Sequence, residues 1–361
     1  MRTPPDIGQP PRLSWTDDGR PRADAFDDSY YAPDPVAESR LVFLQGCGLP
    51  DQWAVPGGPS RIGETGFGTG LNFLLAWQAW NEAGAAPSTL DFVSVEAYPM
   101  TQEQIARSHQ PFAAVADYAA QLQAAWPDQL APGLHQFSFE GGAVRLTLIV
   151  GEAVDLAKAV VPGGVEAWFL DGFAPSRNPD MWRAELFETL AAQSAPRARL
   201  ASFTAAGHVR RGLQATGFEI AREPGFGGKR HRITGQLATP QPRPWWFVEA
   251  LPGGPVAMHG CGVAGLCAAH ALHQAGQSVS LSDKNGRGAG ASGNVAALVM
   301  PRVHVGGGAE GRLLRRFFDT AHAHWTGLGV LKQTGVDQCP QSDRDHDRFA
   351  RFAHHSDARW D

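Results

Sequence analysis

The stretch GETGFGTGLNF, residues 63–73, decides the fold that the sequence predicts. Its glycines Gly66, Gly68 and Gly70 fall at alternate positions, directly before leucines at helical spacing. Glycine lets the backbone turn sharply and approach a ligand without a Cβ atom in the way. The helix that follows offers free N–H groups at its N-terminus. The stretch therefore predicts a strand, a ligand-binding loop and a helix.

Strand-like and helix-like segments alternate after this loop. We predict strands at residues 91–96, 146–150, 166–170 and 200–204, and helices near 102–126, with an interruption at Pro111, and near 152–160 and 181–193. Such alternation is typical of a mostly parallel sheet with helices on both faces. The fold class is therefore α/β and Rossmann-like. The segment just before the loop, PGGPSRIGE, is poor in apolar residues and indicates its strand only weakly.

Acidic residues at the ends of these strands indicate a nucleoside ligand. Glu96 ends VSVE, where a carboxylate can accept hydrogen bonds from two ribose hydroxyls. Glu152 follows the next strand, where an adenine amino group could be held. Together with Glu64 and Asn72 beside the glycine loop, they predict an S-adenosylmethionine site, because the P-loop Lys-Ser/Thr is absent. Alternatively, Glu96 is a surface acid that caps the following helix.

The candidate catalytic loop is FLDGFAPSRNPDMW, residues 169–182. It resembles the Asp-Pro-Pro-aromatic loop of methyltransferases that act on amines. A carboxylate such as Asp171 can hold the N–H bonds of an amine and also accept its proton. Phe173 could stack on a target base. The alternative is that Asp171 caps a helix and Phe173 is a core residue.

A local basic segment indicates a nucleic-acid partner. Residues 207–232 contain six basic and two acidic residues, whereas the whole chain has a net charge of −5. We predict that Arg210, Arg211, Lys229 and Arg230 contact RNA phosphates. An ordinary solvated surface is the alternative.

A second glycine loop lies in PVAMHGCGVAG, residues 255–265. Gly260, Gly262 and Gly265 follow a strand and open a helix, and Asp283 ends the next strand. This combination is the dinucleotide fingerprint. GAGASGNVAALVMPRV (288–303), which contains Ser292, is a glycine- and alanine-rich turn of the kind that lies against a flavin ring. The prediction is a partial FAD-binding, Rossmann-type domain.

The bulk composition suits a packed globular protein of about two domains, with 361 residues, 43% hydrophobic and 19% charged. Five prolines between 239 and 255 indicate a linker. We predict a methyltransferase domain at 1–238 with an N-terminal extension at 1–60, a linker at 239–254 and the FAD-type domain at 255–361.

The four cysteines lack zinc spacing, so no metal is expected. No membrane-spanning run or signal peptide is predicted, and the expected location is cytoplasmic. The oligomeric state does not follow from the sequence.

Six motifs resemble one family, the bifunctional tRNA 5-methylaminomethyl-2-thiouridine biosynthesis proteins (MnmC). They are FDDSYYA (26–32), ESRLVFL (38–44), ETGFGTGLNFL (64–74), FLDGFAPSRNPDMW (169–182), FTAAGHVRRGL (203–213) and GFGGKR (225–230). The resemblance implies N-methylation of an aminomethyl group on a tRNA wobble uridine. It also implies FAD-dependent removal of a carboxymethyl group by the second domain.

Residues 255–361 are fewer than the flavin domain of this family contains, so we expect the flavin-dependent step to be lost. Three other functions remain open at this point. They are an FAD-dependent oxidoreductase with an inert first half, a small-molecule amine methyltransferase, and a binding protein without catalytic activity.

Overall fold

The computed structural model of the chain describes residues 3–54, 60–83, 89–158, 161, 163–239, 254–274, 277–300 and 339–353, together with 314, 317–318, 321–322, 324–326 and 329–332. Contacts divide the chain into two compact units, one of residues 1–258 with 268–280 and the other of 259–267 with 281–361. Most of the expected linker at 239–254 lies outside the described residues. The domain boundaries therefore stay a prediction.

The strands are, in chain order, β1 Leu13–Trp15, β2 Pro21–Ala23, β3 Asp28–Ser29, β4 Arg61–Glu64, β5 Leu90–Glu96, β6 Gly133–Phe139, β7 Val144–Val150, β8 Val165–Leu170, β9 Ser194–Ser202, β10 Phe218–Pro224, β11 His231–Leu237, β12 Val256–His259 and β13 Val279–Ser282. The α-helices are α1 Pro35–Ser39, α2 Leu49–Trp53, α3 Leu71–Glu82, α4 Gln102–Ser108, α5 Ala116–Ala125, α6 Ala184–Gln193, α7 Gly207–Ala215, α8 Val263–Gln274 and α9 Asp343–Ala353. Shorter π and 3₁₀ turns occupy Arg40–Gln45, Ala113–Val115, Glu140–Gly142, Ala153–Lys158, Pro179–Trp182 and Ala291–Gly293.

An eight-stranded sheet forms the centre of the first unit, in the order β10-β11-β9-β8-β4-β5-β7-β6. Strands β4, β5, β7, β8 and β9 run parallel, and β6 and β11 run antiparallel to their neighbours. The chain adds strands on one side of β4 and then returns to add β8 on its other side. This change of direction between β4 and β8 is where open α/β sheets bind ligands. The predicted α/β class is confirmed.

Both faces of the sheet are covered. On one face, apolar side chains of α3 such as Trp77 pack with Phe112, Trp126 and the N-terminal residues Phe43 and Trp53. On the other face, helices α6 and α7 pack on the sheet. Their contacts are made by Leu186 and Phe187 of α6 and by Val209 and Leu213 of α7. The helices therefore fix the strand ends from which the site is built.

Strand β4 shows why the apolar-poor segment before the loop can form a central strand. The ring of Trp168 on β8 lies over Gly63, where a Cβ atom would overlap it. Trp168 is fully buried, and its Nε1 donates to Ser194 Oγ at 2.9 Å. The apolar cover of β4 therefore comes from its neighbour, which a local sequence pattern does not reveal.

The predicted N-terminal extension includes a three-stranded antiparallel sheet, β1-β2-β3, and then packs into the core. Two other predicted elements need correction. The predicted helix at 152–160 is a 3₁₀ helix over Ala153–Lys158, and the strand predicted at 200–204 spans Ser194–Ser202. Strand β6 and the β10–β11 hairpin were not predicted, because their alternating residues are mostly polar or half-exposed.

The second glycine loop joins β12 to α8, and β13 pairs with β12, as predicted. Helix α9, Asp343–Ala353, is rich in charged residues. No helix among the described residues is long and apolar enough to span a bilayer.

We expect Gly63→Val to destabilise the first unit by about 2 kcal/mol or more, because a fully buried tryptophan ring cannot move out of the way. Urea unfolding followed by tryptophan fluorescence measures the change. The matched control is Gly207→Ala, where the added Cβ meets only the flexible end of Arg211. Equal stability of the Gly63 variant and the control would refute the packing of β4 described above.

Candidate active site

A cavity of about 700 Å³ opens at the carboxyl ends of β4, β5, β7 and β8. Its wall includes the first glycine loop, the ends of β5 and β7, the loop that begins at Asp171, and α1. This volume lies in the range of pockets for small ligands and cofactors. The position, beside the point where strand order reverses, is the one expected for an α/β sheet.

The first glycine loop is held by backbone contacts. Gly68 N donates to Glu96 Oε2 at 2.9 Å, and Phe67 N donates to Val95 O at 3.1 Å. Gly68 has φ +52°, and a Cβ atom there would lie 3.2 Å from the ring of Tyr30. A Cβ atom on Gly66 would lie 3.2 Å from the carbonyl O of Asp171. The loop therefore needs glycine to pass this closely beneath the cavity.

His109 supports the end of this loop. Its Nε2 donates to Thr69 O at 2.7 Å, and its Nδ1 accepts from Gln123 Nε2 at 3.0 Å. Burial lowers the pKa of His109, so the ring is neutral near pH 7. Gly70 follows with φ +75° and does not line the cavity. The two hydrogen bonds of His109 therefore fix the turn that leads into α3.

Glu96 is placed as the sequence predicts for a ribose acceptor. It lines the cavity, and its Oε1 accepts from Tyr98 N at 2.9 Å while Oε2 accepts from Gly68 N. Burial raises its pKa. Each carboxylate oxygen can accept more than one hydrogen bond, so both can still accept from a pair of hydroxyls.

Glu152 also lines the cavity but is exposed at its rim. Its Oε2 lies 3.5 Å from Arg183 Nη2. The adenine contact predicted for Glu152 therefore requires the carboxylate to share or leave this ion pair.

Asn72 joins two carboxyl groups at the floor of the cavity. Its Nδ2 donates to Glu64 Oε1 at 2.9 Å and to Asp171 Oδ2 at 2.8 Å. Its Oδ1 accepts from Ser39 Oγ. Ser94 Oγ shares a hydrogen bond of 2.7 Å with Glu64 Oε2, in which the hydroxyl can accept the proton of a neutral Glu64. Both amide hydrogens are used, so the orientation of Asn72 is fixed by its partners.

The two acids differ in their proton affinity. Burial, then the charge of Asp171, raises the pKa of Glu64 to about 8. Burial raises the pKa of Asp171 to about 6, against the hydrogen bonds from Gly172 N and Asn72. At neutral pH, Asp171 is therefore mainly ionised while Glu64 is mainly neutral. Glu64 is 1% exposed and lies behind Asn72, so it does not line the cavity.

Phe173 already has aromatic partners. Its ring stacks on Phe26 with centroids 4.6 Å apart, and Tyr30 meets it edge-on at 5.1 Å. Phe173 lines the cavity and is half-exposed. Phe26 thus covers one face of the Phe173 ring. A base could stack only on the part of the ring that Phe26 and Tyr30 leave uncovered.

The predicted basic residues lie at the edge of the sheet where the cavity opens, but they differ in whether they line the cavity. Arg210 and Arg211 lie in α7, which follows the carboxyl end of β9, and Arg230 is in the exposed turn between β10 and β11. These three do not line the cavity. Lys229 does, and its Nζ lies 2.8 Å from Glu38 Oε1.

The N-terminal segment also contributes to the site, which was not predicted from the sequence. Tyr30, Glu38 and Ser39 line the cavity, and Asp28 Oδ2 accepts from Ala174 N at 3.0 Å. All four residues lie in FDDSYYA and ESRLVFL, two of the motifs that carry the resemblance. These motifs were a signal that residues 1–60 form part of the site.

The second glycine loop has the geometry of its fingerprint. Gly260 has φ +110°, and a Cβ atom on Gly265 would overlap the carbonyl O of Gly260. Asp283 Oδ2 accepts from Cys261 N at 2.8 Å, and Ser292 Oγ accepts from Val263 N at 2.9 Å. A Cβ atom on Gly262 would lie 3.1 Å from that hydroxyl. The donors and close approaches fit the adenosine end of a dinucleotide. No cluster suited to a metal ion occurs in the described ranges.

Comparisons with known proteins match both parts of the chain. Residues 113–238 match the family described as S-adenosyl-L-methionine-dependent methyltransferase, and residues 256–360 match the family described as FAD dependent oxidoreductase. The chain is similar to the crystal structure of MNMC2 from Aquifex aeolicus, with 20% identity and a TM-score of 0.48, over 69% of this chain and 75% of that one. The two family matches confirm the predicted pairing of a methyltransferase segment with an FAD-type segment, and with it both cofactor classes.

Longer relatives share one name. The tRNA 5-methylaminomethyl-2-thiouridine biosynthesis bifunctional protein MnmC of Magnetococcus marinus is 44% identical over 310 residues, covering 83% of this chain and 46% of that protein. The protein of the same name from Maricaulis maris is 38% identical over 353 residues, covering 95% and 58%. The chain thus spans about half the length of the curated relatives it matches. By this similarity, and as its motifs predicted, the chain belongs to the family of bifunctional tRNA 5-methylaminomethyl-2-thiouridine biosynthesis proteins.

Proposed function

We propose that the chain N-methylates the aminomethyl group of 5-aminomethyl-(2-thio)uridine in tRNA. The observation that carries this proposal is Asp171, a carboxylate held at the floor of the cavity directly beside the glycine loop. The names of the relatives supply the substrate class, since they describe biosynthesis of the methylaminomethyl base of tRNA. S-adenosylmethionine, when bound, supplies an electrophilic methyl group on a sulfonium.

Three parts of the cavity wall suit that cofactor. The Gly66–Gly70 loop offers close backbone approach, Glu96 offers two acceptors for ribose hydroxyls, and Glu152 offers an acceptor at the rim. The donor set contains no lysine or phosphate-binding Ser/Thr pattern in the loop. Its chemistry therefore suits a nucleoside with a neutral or cationic tail better than a nucleoside triphosphate.

Asp171 performs the proton chemistry. An alkyl amine is mostly protonated at neutral pH, so one N–H bond must break and leave its electron pair on nitrogen. Asp171, ionised near pH 7, accepts that proton and orients the remaining N–H bonds. With S-adenosylmethionine held by the glycine loop and Glu96, its sulfonium would supply the methyl group that the freed nitrogen lone pair accepts.

Asn72 keeps Asp171 ready for this role. Its hydrogen bond stabilises the ionised form of Asp171 and so lowers its pKa against the effect of burial. The second amide hydrogen holds Glu64, whose raised pKa keeps it neutral beside the reactive acid. Two ionised carboxylates that accept from the same amide group would repel each other.

The direct test is mass analysis of tRNA nucleosides after incubation with methyl-labelled S-adenosylmethionine. The expected result is label in 5-methylaminomethyl-2-thiouridine, with tRNA that carries the aminomethyl base as substrate. Label in free amines but not in tRNA would favour a small-molecule amine methyltransferase. The absence of transfer to either would contradict the proposal.

The second glycine loop is proposed to hold the adenosine and pyrophosphate of FAD through Gly260, Gly262, Gly265, Asp283 and Ser292. Bound FAD would supply oxidation of a C–N bond. The cytoplasmic location expected from the sequence stays a prediction.

Glu96→Gln is expected to raise the Kd for S-adenosylmethionine by about tenfold, because hydrogen bonds to a charged acceptor are stronger than those to an amide. Calorimetry measures the change. Glu103→Gln, an exposed acid of α4, serves as the control. Equal affinity in the two variants would exclude Glu96 from the cofactor site.

Asp171→Asn is expected to slow single-turnover methyl transfer by about 100-fold or more while cofactor affinity stays close to normal. The wild-type rate should fall as the pH falls through about 6, since protonation of Asp171 removes the acceptor. The variant should lack this acidic limb. Asp128→Asn is the control at an exposed site. A wild-type profile that stays flat down to pH 5 would contradict the assignment.

Replacing both Arg211 and Arg230 with Ala is expected to weaken tRNA binding and to reduce the slope of log Kd against log salt by about two. Both side chains are exposed near the carboxyl edge of the sheet. Arg197→Ala, at the opposite edge, is the control. If the slope of log Kd against log salt is the same in the double variant and in Arg197→Ala, the tRNA phosphates lie elsewhere.

A further inference from the structure

Glu38 is a carboxylate in the cavity wall that the proposed mechanism does not yet use. It belongs to α1, whose start is capped by Asp34, with Oδ1 accepting from Ala37 N at 3.2 Å. The next residue, Ser39, donates to Asn72. Glu38 is therefore held one residue away from the network that contains Asp171.

The partner of Glu38 is a lysine from the other end of the fold. Lys229 Nζ lies 2.8 Å from Glu38 Oε1, and the two side chains are 47% and 12% exposed. The same Nζ lies 4.7 Å from the centre of the Phe203 ring. Glu38 is thus the anchored, mostly buried member of the pair, and Lys229 is the exposed one.

The turn that carries Lys229 is closed by two backbone hydrogen bonds, from Lys229 N to Phe226 O at 3.0 Å and from Gly225 N to Arg230 O at 3.3 Å, so the exchange requires movement of the Lys229 side chain alone. Gly227 and Gly228 precede Lys229 with φ +58° and +85°, and a Cβ atom on either would meet nothing within 4 Å. The Cβ positions of these two glycines therefore face open space beside Lys229. Withdrawal of the Lys229 side chain would break its ion pair with Glu38 and its contact with the Phe203 ring, so Glu38 needs another cation in its place.

The chemistry of the pair points to its exchange. A mostly buried carboxylate is costly without a cationic partner. The ammonium group of Lys229 is the same chemical group as a protonated primary aminomethyl substituent. Such a substituent, entering the cavity toward Asp171, would arrive beside Glu38 and could replace Lys229 without leaving that carboxylate unpaired.

We propose that Glu38 binds the target amine in its ammonium form, in exchange for Lys229, and so selects a charged aminomethyl group over an uncharged substituent at the same position of the base. This inference rests on the proposed function. Asp171 then takes the proton, as described above, and Lys229 is released toward the outside of the cavity, where a substrate phosphate is a suitable partner. Glu38 is accordingly a positioning and specificity residue.

The test compares two synthetic anticodon stem-loops that differ only in one group, 5-aminomethyluridine or 5-hydroxymethyluridine. Their Kd values are measured by fluorescence anisotropy with the full chain and excess S-adenosylhomocysteine, which prevents turnover. The wild type should prefer the aminomethyl stem-loop by about tenfold or more, as expected for a desolvated charge pair. Glu38→Gln should reduce the preference to about one and leave binding of the hydroxymethyl stem-loop close to normal.

Lys229→Met provides the second variant. Removal of the competing ammonium should keep or increase the preference for the aminomethyl stem-loop, even if both stem-loops bind more weakly through loss of a phosphate contact. Glu103→Gln is the matched control for loss of an acid. Affinity for S-adenosylhomocysteine reports whether each variant keeps its fold.

An unchanged preference in Glu38→Gln would overturn the inference, as would loss of the preference in Lys229→Met. Equal weakening of both stem-loops in Glu38→Gln would mean that Glu38 only supports the 225–230 turn. Failure of the proposed function appears differently, in the wild type, as no preference and no methylation of the aminomethyl stem-loop when S-adenosylmethionine replaces its product.

Discussion

The amide of Asn72 is the contact on which the site depends. One side chain donates to Glu64 from β4 and to Asp171 from the end of β8, and it accepts from Ser39 of α1. Three separate parts of the chain therefore meet at one group. Because the network is buried and fully satisfied, it fixes geometry as well as charge. The loss of any member would leave a polar group without its partner.

The sheet explains why these groups can meet. Strands β4 and β8 are neighbours although about 100 residues separate them, and Trp168 covers Gly63 between them. Their carboxyl ends carry Glu64 and Asp171 to the same edge. The N-terminal segment then closes the cavity from the outside with Glu38 and aromatic side chains. The site thus combines residues from nearly the whole first unit.

The sequence predicted those features that a local pattern encodes. The glycine loop, Glu96 and Asp171 lie in the cavity wall, as expected from their positions at strand ends. Those positions could be predicted because apolar runs mark the strands and glycines mark the loop. Other features depend on partners distant in sequence. The exclusion of Glu64 from the cavity results from Asn72 lying in front of it, and Phe173 is partly covered by Phe26. The roles of all these residues remain predictions.

Asn72 holds one acid, Asp171, ionised beside another, Glu64, that stays neutral. Carboxyl ¹³C NMR of selectively labelled protein, with Asp171→Asn and Glu64→Gln used to assign the two signals, measures this most directly. The account predicts apparent pKa values of about 6 for Asp171 and about 8 for Glu64. It also predicts that Asn72→Ala raises the value for Asp171. Two carboxyls that titrate near pH 4, or an Asp171 signal indifferent to Asn72, would contradict it.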